Sequence, residues 1–363
     1  MTSGKPLFLT HIGTGKTGST SIQRFLKDKR QQHKKLGLHY LGLHLSYTEQ
    51  ELLYPWQSED EAHVFEFQLL DDSTAYQQLN DVLCQLLQSA SLPPCFIWSF
   101  ESIYDRPQVY GNIFHSLREK FDINFKFLAF TRSHDDFLRS AYNQWGLKHK
   151  TYEGPILSFN DWASRNKGFL AYGNKLKRWD DLFKEDLILF NYHESADSVA
   201  SLINILPIAI REAVQKTYDF DRYEITPRDH LLTLYALFHN RNFERALPLE
   251  VMDLLSRYPQ LRQNHTSLPR AFELFPDSQA IHQVITEQML GFDAALINSM
   301  LKHRGQKIFD DYKMQLDNCA DIVDKNELDY KVLSTLVSML LTLLLEQDKR
   351  IASLESKDHK NFS

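Results

Sequence analysis

Residues 7–30 read LFLTHIGTGKTGSTSIQRFLKDKR, and the change of period inside this stretch decides the fold. LFLTHI, residues 7–12, is a short, continuous run of strand-compatible side chains and reads as a strand. From Ser19 or Thr20 the spacing turns helical, with Ile22, Phe25 and Leu26 on one face and Arg24, Lys27, Lys29 and Arg30 on the wetter ones. Between them, Gly13, Gly15 and Gly18 permit a close backbone approach, and Lys16 adds a cation just before a helix whose first N–H groups are free. Thr17, Ser19 and Thr20 supply hydroxyls. A flexible turn accounts for the glycines alone; the flanking strand and amphipathic helix point to an anion cradle, with phosphate the favoured ligand.

The same alternation recurs outward from that stretch. YQQLNDVLCQLLQSA reads as a helix ending before LPP, and CFIWSF (95–100) has the unbroken apolar character of an interior parallel strand. NFKFLAF (124–130) is another strand, followed by TRSHDDFLRSAYNQW, whose Phe137, Ala141 and Trp145 lie four apart as on a helix. A helix around 168–183 leads to a strand at 187–190. Strands alternating with helices predict an α/β core with a central parallel sheet and its polar loops at the carboxyl ends of the strands. Residues 36–80 give no clear element. Beyond about 196, helical runs dominate, and Leu333, Val337, Leu340, Leu344, Ile351 and Leu354 trace an approximate heptad seam. The expected division is an α/β core over 1–215 and a mostly helical extension over 216–363, its last helix either docked on the same chain or used for homo-oligomerisation.

Composition narrows the function classes. The 363 residues carry 41 Lys plus Arg against 47 Asp plus Glu, a net charge of −6, which argues against a generally basic surface for nucleic acid but leaves room for a local basic cleft. With 43% apolar and 24% charged residues a packed fold is expected, not disorder. Cys84, Cys95 and Cys319 form no CxxC pair, and no cluster of ligand types suggests a metal. The start of the sequence lacks an apolar leader, and VLSTLVSMLLTLLL (332–345) is too short to span a membrane comfortably, so a cytoplasmic location without a transmembrane span is expected.

Gly15-Lys16-Thr17 would complete a Walker A loop only with glycine at position 10, where Thr10 stands. HIGTGKTGSTSIQ instead resembles the 5′-phosphosulfate loop of sulfotransferases that use 3′-phosphoadenosine 5′-phosphosulfate (PAPS), bacterial sulfotransferase-like proteins especially. The resemblance implies a P-loop-like three-layer core in which Lys16 contacts the phosphosulfate bridge and Gly15, Thr17, Gly18, Ser19 and Thr20 form the cradle. It extends to Arg132 after the strand at 124–130 and Ser140 eight positions later, the spacing of the family's 3′-phosphate motif. Tyr142 matches an aromatic beyond that serine, and YGNKLKRWDDLF adds to the likeness over 95–192. Ser133-His134 departs from the Asn-Pro turn of many members, and KHRGQK (302–307) keeps only Arg304-Gly305 of a late segment that in some members closes over the 3′-phosphate; a helix-end turn explains it as well.

The implied reaction is transfer of a sulfuryl group to an acceptor hydroxyl, with a carbohydrate or glycan weakly favoured over a lipid-linked sugar, small alcohol or amine. The acceptor needs a base. Glu101, just past the strand at 95–100, is the leading choice and His134 the alternative, with Lys16 as the catalytic cation. Ser99 either positions a ligand or ends its strand, and His11 is expected to be buried or hydrogen-bonded. The basic series Arg24, Lys27, Lys29, Arg30, Lys34 and Lys35 either draws in anions or forms a solvated face, and Trp56, Trp98 and Trp145 either stack on sugar or pack in the core. A divergent P-loop phosphotransferase and an inactive nucleotide-binding scaffold are the competing readings.

Overall fold

The computed structural model describes residues 5–58, 63, 66–148, 152, 157–194, 197–217 and 290–309, with 340 and 347. In chain order the elements are β1 (Leu7–Gly13), α1 (Ser19–Asp28), α2 (Arg30–Lys35), β2 (Leu38–Tyr40), α3 (Glu66–Leu69), α4 (Asp72–Leu87), β3 (Cys95–Ser99), α5 (Pro107–Lys120), β4 (Asn124–Thr131), α6 (His134–Ala141), α7 (Phe159–Arg165), α8 (Lys167–Leu170), α9 (Gly173–Phe183), β5 (Leu187–Asn191), α10 (Ser198–Ile205), α11 (Ile208–Thr217) and α12 (Leu290–His303). The chain forms two compact units.

The first unit holds a five-stranded sheet of order β2-β3-β1-β4-β5. Every pair is parallel: Leu7 stands opposite Cys95 on β3 and Asn124 on β4, Leu38 opposite Cys95, and Phe127 opposite Leu187. The interior strands are mainly apolar because both faces are covered. On one face Leu7, Leu9, Ile97, Leu128 and Phe130 cluster with Ile22, Phe25 and Leu26 of α1, Leu202 of α10 and Val214 of α11. On the other, Phe8, Phe125 and Phe127 pack edge-on against Phe114 of α5, and Phe127 also meets Trp179 and Phe183 of α9 at a tilt. Phe8, Phe114, Phe125 and Phe127 are fully buried, each stabilising the fold by roughly 1.5–3 kcal/mol through removal from water. The result is a sheet between two helical layers.

Within the expected helical extension, α12 packs against α9 of this unit. Residues 218–289 of that extension, and the heptad seam apart from Leu340, lie outside the described residues. Arg304, just beyond α12, donates to the carbonyls of Leu187, Met300 and Lys184 and pairs with Asp180. Leu187 opens β5, so this guanidinium sits at the amino end of a strand, away from the carboxyl-end loops. The segment is a helix-end turn, with Gly305 at φ 65° as its left-handed terminus.

The second unit includes the end of α6 from Leu138, a π-helical turn, Tyr142–Lys148, and α7. Tyr142 donates to Leu157 O at 2.7 Å and meets Phe159 and Trp162 edge-on. Packing is thus the role of Tyr142. Ser158 caps α7 by accepting from Asp161 N.

Two tryptophans proposed for sugar stacking are core residues. Trp56 Nε1 donates to Gln78 and Trp98 Nε1 to Leu43 O, and both rings are buried. Trp145 is half-buried in the second unit.

Candidate active site

Strand order places the site. The chain leaves β1 toward β3 and β2, and leaves β4 toward β5, so the connections diverge between the carboxyl ends of β1 and β4. Such a divergence opens a crevice that loops alone can fill.

The loop after β1 enters that crevice through tight, glycine-dependent geometry. Gly13 has φ 94°, and a Cβ there would lie 3.2 Å from Glu101 Cα. Thr14 Oγ1 donates to Phe130 O at 2.9 Å, pinning the loop to β4. Lys16 adopts φ 66°, a left-handed conformation costly for a side chain with a Cβ. Gly18, at φ 85°, precedes α1; a Cβ there would fall 2.4 Å from Ser198 Oγ, a group that donates to Gly18 O at 3.3 Å. Among the described residues no side chain caps α1, whose start carries the positive end of the helix dipole.

Arg132 joins from the end of β4. Its Nη1 donates to Lys16 O at 3.2 Å, its Cζ lies 5.5 Å from the Tyr192 ring centroid, and its buried Nε has no hydrogen-bond partner among the described residues. A buried guanidinium N–H without an acceptor is costly, and an anion in the crevice would satisfy it. Ser133 begins α6: its carbonyl accepts from Phe137 N and its Oγ from Asp136 N. Serine is a good helix cap, and Ser133 takes that place in the turn where many members have Asn-Pro. The Asp136 carboxyl is held below the usual carboxylate range by its bond to His193, with Arg132 nearby adding to the effect.

Glu101 joins from the end of β3 as the first residue of a 3₁₀ turn, Glu101–Asp105. Gln23 Nε2 of α1 donates to its Oε2 at 2.8 Å. Its half-buried side chain is thereby tied to α1, and its stem lies against Gly13 at the start of the loop that carries Lys16. Beneath it His11 Nδ1 pairs with Ser99 Oγ at 2.8 Å, both fully buried. Ser99 thus supports the strand end instead of reaching a ligand, and His11 is the buried, bonded group expected.

The structure brings Lys16, Gly18, Glu101 and Arg132 to one crevice, with Gly15 half-buried in its loop. Other expected roles change. Thr17 is buried and spends its only hydroxyl proton on Thr14 O, so it can offer the cradle a backbone N–H but no side-chain donor. Ser19 is buried and Thr20 exposed. His134 is buried, with Nε2 2.8 Å from Asp293 Oδ2. Ser140 is half-buried on the part of α6 that belongs to the second unit. Of the basic series, Arg24 and Lys27 are exposed, Arg30 lies 4.2 Å over Tyr47 and Lys34 pairs with Glu49, the pattern of a solvated face. Among the described residues no group of three or more His, Cys, Asp or Glu could hold a metal ion, and no helix is long and apolar enough to cross a membrane.

Burial lowers the His11 pKa to about 4, partly opposed by Glu101, and lowers that of His33 to about 4 as well. Both rings stay neutral in the folded chain while the unfolded chain takes up protons from about pH 6.5 downward. Stability therefore falls on acidification from about pH 6.5 to about pH 4, by up to ~1.4 kcal/mol per pH unit for each histidine, and this contribution levels off below. Urea unfolding between pH 7.5 and 5 should show the decline, and His11→Phe should flatten it; an unchanged slope in that variant would remove His11 from the account.

No protein-family model matches the chain, and no curated protein matches it. Among solved structures it is similar to retinol dehydratase in complex with androsterone and the inactive cofactor PAP, at 12% identity and a TM-score of 0.28, over 82% of this chain and 80% of that one. The residues of the crevice, not this likeness, carry the functional reading.

Proposed function

We propose that the chain is a PAPS-dependent sulfotransferase acting on an acceptor hydroxyl. The observation that carries this reading is the buried Arg132 Nε, which has no partner among the described residues, beside a glycine-formed loop that presents Lys16 and a helix start that no described side chain caps. Two separate anion-binding features in one crevice suit a nucleotide with phosphates at both ends of its ribose. When bound, PAPS would supply a sulfuryl group already attached to a phosphate leaving group.

The chain's own residues then have distinct tasks. Lys16 and the leading N–H groups of α1 hold negative charge on the leaving oxygen, a preorganised field that needs no rearrangement during reaction. Gly15, Thr17, Gly18, Ser19 and Thr20 contribute backbone donors and shape to the cradle. Arg132 binds the 3′-phosphate. Glu101 takes the acceptor proton, its Oε2 fixed by Gln23. The Nε2 of His134 is committed to Asp293, which favours Glu101 as the base. A carbohydrate is the acceptor class the sequence resemblance favours.

Calorimetric titration tests the cofactor half. Adenosine 3′,5′-bisphosphate should bind more tightly than adenosine 5′-phosphate, and Arg132→Gln should weaken the bisphosphate by about 10–100-fold, the loss of a charge-assisted contact of about 1.5–3 kcal/mol. Equal affinities in the parent protein would exclude this use of Arg132. Incubating isotopically labelled PAPS with native extract and identifying the labelled product tests transfer and names the acceptor.

A further inference from the structure

We propose that Asp293, on α12, is a positioning residue for the Arg132 anion site. The inference rests on Arg132 binding the 3′-phosphate and assigns what holds that arginine in place. Arg132 is gripped through its main chain: its N–H donates to Tyr172 Oη at 3.1 Å, and the same hydroxyl donates to its carbonyl. One phenol thereby fixes the peptide groups on both sides of the arginine's Cα. The Tyr172 ring in turn stacks on the His134 imidazole, with centroids 4.9 Å apart and planes 23° apart.

Asp293 locks that stack from behind. Its Oδ2 accepts from Gly173 N at 2.7 Å and lies 2.8 Å from His134 Nε2; its Oδ1 accepts from Asn174 N at 3.0 Å. An ionised carboxylate can only accept, so Nε2 carries the proton it donates. The carboxylate occupies the start of α9, where N–H groups and the helix dipole favour negative charge. It is 2% exposed, and His134 is 1% exposed. A buried charge this fully satisfied is strongly placed, whereas removing it leaves three donors unanswered. The same carboxylate therefore sets the helix that begins beside Tyr172 and the imidazole on which Tyr172 lies. Arg132 is the end of this chain of contacts and Asp293 touches no expected ligand.

The consequence is specific to one phosphate. Loosening Tyr172 should blur the direction of Arg132 while leaving the backbone cradle around Gly18 largely intact. Affinities for adenosine 3′,5′-bisphosphate and adenosine 5′-phosphate are measured for the parent chain, Asp293→Ala, Asp293→Asn and Tyr172→Phe, with Arg304→Gln as a control that loosens the far end of α12. Asp293→Ala and Tyr172→Phe should each lower the bisphosphate-to-monophosphate affinity ratio by about tenfold, and the double variant should fall little further, as coupled positions do. Asp293→Asn keeps an acceptor for the start of α9 and should recover part of the ratio even if Asp293→Ala folds poorly. Arg304→Gln should lower the melting temperature and leave the ratio unchanged. A parent ratio near one overturns the phosphate assignment itself. A high parent ratio that Tyr172→Phe leaves intact overturns the positioning role alone, whether or not Asp293→Ala folds.

Discussion

Lys16→Met should lower sulfuryl transfer by about 10²–10³-fold, the usual cost of deleting one preorganised group from a developing oxyanion. The methionine keeps the length and apolar stem of the side chain, so packing around the loop is retained and the charge is what is lost. Lys16→Gly is the informative companion. Position 16 sits at φ 66°, where glycine costs nothing and lysine about 1 kcal/mol or more. The glycine variant should therefore be as inactive as the methionine variant and no less stable. Single-turnover rates with the acceptor identified by labelled transfer, alongside melting temperatures, separate these effects. Turnover within threefold of the parent in either variant would sink the role given to Lys16.

Glu101→Gln should reduce kcat by about 10²–10⁴-fold, the range for removal of a general base. Glutamine preserves size and keeps a carbonyl oxygen that can accept from Gln23, so the 3₁₀ turn that presents position 101 is undisturbed. Affinity for adenosine 3′,5′-bisphosphate should stay within about threefold, which distinguishes a lost base from a collapsed pocket. If kcat survives, proton removal falls to solvent or to the acceptor's own surroundings, and His134→Gln becomes the next variant to assay.

Much of the sheet was legible because interior parallel strands must be apolar on both faces. LFLTHI, CFIWSF and NFKFLAF announce themselves for that reason, and so does the loop in which glycine, lysine and hydroxyl side chains separate a strand from an amphipathic helix. Leu38–Tyr40 was not legible: three residues paired along one edge leave too little pattern to stand out. Hydroxyl roles were also hidden. Thr17 and Thr20 look equivalent as letters, yet one faces Thr14 O and the other water. Gln23 is one polar position among several on α1, and only the fold shows that it meets Glu101. Asp293 lies far along the chain within a helical run, so its link to His134 carries no local signal. Tyr192, directly after β5, had the best available clue, since side chains at the carboxyl end of a parallel strand face the crevice.

The bonds from Thr14 to Phe130 and from Arg132 to Lys16 each join residues 116 positions apart. A chain emerging from the ribosome thus exposes the glycine-rich loop long before the strand that braces it exists, and pairings so distant in sequence are slow to form. The nascent amino-terminal portion should have no affinity for nucleotide. Ligand binding would then report that the central pair of strands has closed, and nucleotide would protect the finished fold from proteolysis without hastening its first steps.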